Sequence, residues 1–257
     1  MVDLAQSLSG FAVGVIVGLT GVGGGSLMTP LLVLLFGIHP ATAVGTDLLY
    51  AAITKSGGTY VHAKKGTVDW RIVRYLASGS IPAALLTLTL THTFAPGGLG
   101  SASKVITSSL GVALFLTAAA LIFRRHILSW AKRNDPDTVH HPWKTVATGA
   151  VLGILVSLSS VGAGALGVTV LFFLYPQLPA VRVVGSDLAH AVPLTAVAGM
   201  GHWLLGDVNW SLLGSLLVGS LPGIYIGSHL AVRVPERLLR RTLAGMLILV
   251  GGKLIAF

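Results

Sequence analysis

Four ionisable residues stand inside long apolar runs, where a charge is costly unless it is paired or used: Asp47, Lys55, Asp187 and His190. Asp47 and Asp187 lie in near-identical strings, Val44-Gly-Thr-Asp-Leu48 and Val184-Gly-Ser-Asp-Leu188. Each has a polar residue one turn on, Tyr50 and His190, so each pair shares one face of a helix. Imidazole titrates near neutrality, which makes Asp187, His190 and, by equivalence, Asp47 candidates for proton relay or ion coupling. The same strings also read as helix starts, where Ser, Thr and Asp cap free N–H groups. Lys55 reads either as an anion-binding ammonium or as a cation whose stem reaches to the membrane surface.

A second kind of chemistry resides in two glycine-rich breaks. Residues Thr20, Gly21, Gly23, Gly24, Gly25 and Ser26 interrupt one apolar run, and Ser159, Ser160, Gly162 and Gly164 interrupt another. At an offset of 139 the breaks align, pairing Leu19 with Leu158, Val22 with Val161, Gly23 with Gly162 and Gly25 with Gly164. Glycines let backbone N–H groups turn inward, and a helix starting just beyond aims its positive dipole end at the same point. With hydroxyls from Thr20, Ser26, Ser159 and Ser160 this is the chemistry of an anion site. The competing reading is that the glycines serve only close helix packing or a tight turn.

The elements that must position these groups are membrane helices. Of 257 residues, 53% are hydrophobic and 10% charged, with a mean hydropathy of +0.84, far from the roughly 25% charge of an average soluble domain. The runs are too long and continuous for a transmembrane β-barrel. The expected segments are Leu4 to Thr20, Leu27 to Gly37, Ala41 to Val61, Ile72 to Leu90 and Val105 to Phe123, then Val146 to Leu158, Ala163 to Tyr175, Val183 to Leu204, Ser211 to Val232 and Leu238 to Ala256. Residues 1 to 20 lack a basic start and read as a membrane segment, not a signal peptide. The pieces after each break are too short to cross a core of about 30 Å upright. The net charge of +9 lies in short loops, which fits the positive-inside rule and argues against nucleic acid. No cysteine is present, so disulfides and thiol chemistry are excluded.

A repeat runs far beyond the breaks. At an offset of 140, His62 matches His202, Gly66-Thr-Val-Asp-Trp70 matches Gly206-Asp-Val-Asn-Trp210, and Gly79-Ser-Ile-Pro82 matches Gly219-Ser-Leu-Pro222. The reading is one transmembrane transporter domain, 1–257, with repeat 1 at 1–123, a cytoplasmic linker at 124–144 and repeat 2 at 145–257. Loops 62–74, 124–144 and 233–241 are basic and expected to be cytoplasmic, whereas 91–104 and 202–210 carry little positive charge and should lie outside. Corresponding loops therefore fall on opposite sides, the mark of an inverted-topology repeat. This predicts an all-α integral membrane protein of two inverted repeats, each of about five inserted segments, in the cell inner membrane with both termini outside. The broken segments are either full crossings or re-entrant hairpins. Trp70, Trp143, Trp203 and Trp210 fit interfacial belts, His62 and His202 at segment ends read as interfacial, and Pro82 and Pro222 mark kinks or breaks.

The Gly18-Leu-Thr-Gly-Val-Gly-Gly-Gly25 start, Val-Gly-Thr-Asp-Leu, Gly-x-Val-Asp-Trp and the repeated second half resemble the TauE/SafE sulfite exporter family over nearly the whole chain. That resemblance implies a bacterial or archaeal type of secondary transporter for small sulfur anions, sulfite or organosulfonates such as sulfoacetate, without nucleotide. The expected mechanism is alternating access around a midplane site between the breaks, coupled to protons or, second, sodium. The alternatives are a passive anion channel or a transporter of another small oxyanion or carboxylate. No hydrolase, Walker, zinc or dinucleotide pattern occurs, so an enzyme, a cofactor and a metal are not expected. The partners are the anionic substrate and the bilayer, and monomer and homodimer stand equally open.

Overall fold

The computed structural model describes the backbone of residues 3–20, 25–94, 99–134, 142–230 and 236–256; the side chains of 20, 25–26, 94, 99–104, 124–134, 228, 236–242 and 255–256 lie outside the description. The described residues form ten helices in chain order: α1 Leu4–Thr20, α2 Gly25–Phe36, α3 Pro40–Lys64, α4 Trp70–Phe94, α5 Leu99–Asn134, α6 Pro142–Ser159, α7 Ala165–Leu174, α8 Ala180–Leu204, α9 Trp210–Leu230 and α10 Glu236–Ala256. Five are long and apolar enough, by length and composition, to cross a bilayer: α4, the Val105–Phe123 part of α5, α6, α8 and α9. Helices α2 and α7, of 12 and 10 residues, rise only about 18 and 15 Å at 1.5 Å per residue.

Three readings are sharpened. Helix α5 continues to Asn134, so the first half of the linker expected at 124–144 is helical. Its charges end the apolar run, but Arg124, Arg125, Leu128, Ala131, Lys132 and Arg133 are good helix formers and no Pro or Gly interrupts them. Second, α3 and α8 begin at Pro40 and Ala180, after His39 and Pro179. Asp47 and Asp187 therefore sit about two turns inside their helices and cap nothing. Third, Pro82 and Pro222 lie within α4 and α9, and neither ends its helix.

Helix pairing follows from small residues. Lipid removes the hydrophobic drive between helices, so close backbone approach and polar contacts hold them. Helix α1 lies along α9, α4 along α6, α3 against α8 and α10 against α5. In the first pair Gly10 and Gly14 face the backbone at Leu216 and Ser220, while Gly219 and Gly223 face Ser7 and Phe11. In the second, Gly149 and Gly153 face Leu76 and Ser80, and Gly79 faces Val146. A Cβ at any of these would collide with backbone atoms of the partner helix. Exchanging the two halves of the sequence turns α1·α9 into α6·α4 and leaves α3·α8 a central pair. The four tryptophans at 70, 143, 203 and 210 are all exposed, as belt residues should be.

Candidate functional site: a buried charge cluster at the second glycine break

Helix α6 stops at Ser159 and α7 starts at Ala165, and the connection turns on unusual backbone. Gly162 and Gly164 have φ of 130° and 136°, where an L side chain is strained. Ser160, at φ 58°, is the non-glycine residue with positive φ among the described residues. Such a conformation costs on the order of 1–3 kcal/mol and persists only where its surroundings enforce it. Ser159 spends its hydroxyl locally: its Oγ donates to Leu155 O at 2.6 Å and accepts from Val161 N at 3.2 Å. The first turn of α7 is tied back by Gly167 N to Gly162 O at 3.0 Å and Val168 N to Gly164 O at 2.9 Å.

Lys55 reaches this break from the other half of the chain. Its side chain does not run to the surface: it is buried, and Nζ donates to Ala163 O at 2.8 Å. The ammonium lies within electrostatic range of Asp47, Asp187 and His190 but forms no ion pair with either carboxylate. Asp187 lies against the Gly167 backbone, so close that a Cβ at 167 would collide with Oδ1, and that oxygen has no hydrogen-bond partner. His190, fully buried, meets Ser80 Oγ through Nε2 at 2.8 Å and leaves Nδ1 unpartnered. Asp47 accepts from Thr29 Oγ1 through Oδ2 at 2.5 Å. The Ser160 hydroxyl lies beside the same carboxylate outside hydrogen-bonding geometry, and Asp47 Oδ1 and Ser160 Oγ are both buried and unpartnered.

Of the expected site residues, the fold brings together Asp47, Lys55, Asp187, His190 and Ser160 around the second break, with Ser159, Gly162 and Gly164 shaping its turn. Gly21, Gly23 and Gly24 lie outside the described residues, as do the side chains of Thr20, Gly25 and Ser26; Gly25 opens α2. The first turns of α2 still approach the cluster, since Thr29 holds Asp47 and Leu27 and Met28 share an apolar core with Val161 and Ala165.

Sequence reasoning missed Thr29, Ser80 and Ser220. The last two stand in the repeated Gly-Ser-x-Pro strings, so the repeat itself was a signal. Tyr50 OH lies beside Ser220 Oγ as His190 lies beside Ser80. His202, expected at an interface, is buried, with Nε2 donating to Ser157 O at 2.8 Å and Nδ1 3.4 Å from Asp207 Oδ2. Arg182 is half-exposed and pairs with Asp69 at 3.7 Å, outside the cluster. Among the described residues no three His, Asp or Glu side chains gather as a metal site requires.

The model of the family described as Sulfite exporter TauE/SafE matches residues 7–254. The chain belongs to this family. A probable membrane transporter protein of Bacillus subtilis strain 168, YjnA, is 40% identical over 251 residues, covering 96% of this chain and 98% of the relative. A second from the same organism, YdhB, is 28% identical over 249 residues, 93% of this chain and 97% of the relative. An archaeal probable membrane transporter protein, from Methanocaldococcus jannaschii, is 24% identical over 250 residues, 93% of this chain and 88% of the relative. No solved structure matches the chain. Family membership and the apolar helices together make this a multi-pass membrane protein of a transporter family.

Proposed function

We propose that the chain is a secondary transporter of a small sulfur-containing anion, sulfite or an organosulfonate, working by alternating access around the buried cluster. The single observation that carries this reading is Lys55: a buried ammonium held at the carbonyl of a helix break, beside the N-terminal end of α7. A positive dipole end, turned backbone and one cation make a seat for a small anion. The family name, sulfite exporter, supports sulfur oxyanions as the substrate class.

The repeat supports an inverted architecture, with 1–123 and 145–257 as the two units of one domain. Helix pairs α1·α9 and α4·α6 exchange when the halves are swapped, and such pseudo-symmetry suits two states related by rocking. Coupling falls to Asp47, Asp187 and His190, with protons ahead of sodium. Loops 62–74, 124–144 and 233–241 face the cytoplasm in this reading, and both termini lie outside.

Counterflow in proteoliposomes tests the substrate. Vesicles preloaded with sulfite or methanesulfonate should take up the labelled anion by exchange and saturate; no exchange for any sulfur oxyanion would overturn the assignment. A steady single-channel conductance without saturable exchange would replace the transporter with a channel.

A further inference from the structure

The buried cluster holds one fixed cation and two carboxylates, and their arrangement sets how many protons travel with an anion. Lys55 lies within electrostatic range of both Asp47 and Asp187 and is hydrogen-bonded to the Ala163 carbonyl, not to either carboxylate. The other polar groups there bear no fixed charge: Tyr50, Ser160 and Thr29 around Asp47, and His190, whose partner is the Ser80 hydroxyl and which shares its surroundings with the Lys55 ammonium. An unpaired buried charge is strongly disfavoured, so the cluster without its anion is neutral. One carboxylate balances Lys55 and the other carries a proton. Oδ1 of Asp47 and Oδ1 of Asp187 are both without a partner, so each carboxyl has an oxygen open to that proton.

A monoanion that pairs with Lys55 takes over the role of the ionised carboxylate, which then stands unpaired until it too is protonated. The empty state is Lys⁺, Asp⁻ and AspH; adding one monoanion and one proton gives Lys⁺ with its anion and two AspH, again neutral. We infer that each monoanion crosses with one proton, so that transport is electroneutral and follows the pH gradient and not the membrane potential. The inference rests on the proposed anion seat at Lys55 and adds its stoichiometry and its preference for monoanions over dianions such as sulfate.

The test uses the full chain in proteoliposomes, with methanesulfonate as a permanently monoanionic probe and nitrate as a monoanion without sulfur. A K⁺–valinomycin clamp sets the potential and a trapped pH dye reports protons. With the outside one pH unit more acidic, accumulation should reach about tenfold, the ratio equivalent to one pH unit, with one proton entering per anion, unchanged by clamping the potential at either sign. Accumulation that follows the potential, or a sodium gradient without proton entry, overturns the inference. If nitrate moves with one proton while methanesulfonate does not move, the stoichiometry stands and the sulfur assignment falls. If neither monoanion moves, both fall. In the Asp47→Asn/Asp187→Asn double variant, whatever anion movement remains should lose its accompanying proton; proton entry that persists there overturns the assignment of the proton to these carboxyls.

Discussion

Position 50 in the first half and position 190 in the second are equivalent by the repeat, and each looks across at a serine of the opposite half: Tyr50 at Ser220, His190 at Ser80. A second pair of cross-half contacts follows the same rule. Asp69 N donates to Ser186 Oγ at 2.8 Å and Asn209 N donates to Thr46 Oγ1 at 3.1 Å. Gly45 and Gly185 obey it again, each packed against the histidine of the other half, His202 and His62. Where the halves part company is in charge. Lys55 has Thr195 as its counterpart, His190 has Tyr50, and Ser160 has Gly21. Contacts that hold helices together recur in both halves, whereas the cation, the imidazole and the strained serine each occur once. The lesson is that matching contacts in the two halves surround a buried cluster whose electrostatics are one-sided.

The largest effect should come from erasing that one-sidedness at Lys55. Lys55→Thr copies the second half and removes the cation proposed to seat the anion; a charge-assisted contact of up to about 3 kcal/mol corresponds to a fall in anion exchange on the order of 100-fold. Exchange within a few-fold of the parent would mean that Lys55 only ties down the Ala163 carbonyl.

The histidine pair comes next. His202 is buried and bonded on both sides, while His62 is partly exposed with one hydroxyl partner at 2.8 Å, Thr67 Oγ1. His202→Ala should cost about 2–4 kcal/mol and His62→Ala about 1 kcal/mol or less, read as a clear difference in Tm in detergent micelles. Equal losses would make the comparison between these positions empty.

Removing the serines probes the middle of the cluster. Ser80→Ala strands His190 Nε2, at about 1–3 kcal/mol, but Ser220→Ala removes no formed hydrogen bond and should stay within about 1 kcal/mol. Urea or thermal unfolding of the two variants side by side decides it, and a costlier Ser220→Ala would reverse the order.

The smallest change is Ser160→Gly, which makes the second break resemble the first. Relief of the left-handed backbone should slightly outweigh the added freedom of the unfolded chain, a gain of up to about 1 kcal/mol. Ser160→Ala keeps the Cβ and should give no gain; a matching gain from both would trace the effect to the hydroxyl and not to the backbone.

The helices, the second break between Ser159 and Ala165 and the short α2 and α7 were legible in the chain, because bilayer thickness and glycine act on sequence directly. Asp47, Lys55, Asp187 and His190 stood out because any ionisable residue in such runs does. Whether the aspartates cap helices was left open by the chain, since Thr-Asp and Ser-Asp also fit a helix start; helices beginning at Pro40 and Ala180 put both about two turns inside. The apolar span Val105–Phe123 of α5 was read with the bounds it has, but the helical continuation to Asn134 was not, since hydropathy marks where a membrane ends and helix propensity does not stop there.

By itself, then, the sequence determined that the protein is helical and membrane-embedded, with matching strings in its two halves and four ionisable residues in apolar runs. Only tertiary structure decided that the charges of both halves meet, because α3 and α8 pack as a central pair and bring Lys55 of one to the break and carboxylate of the other. Local pattern specifies which residues line a helix face. Which face meets which depends on backbone approach at glycines far apart in the chain, such as Gly79 against Val146 and Gly10 against Leu216, and no local window contains both partners.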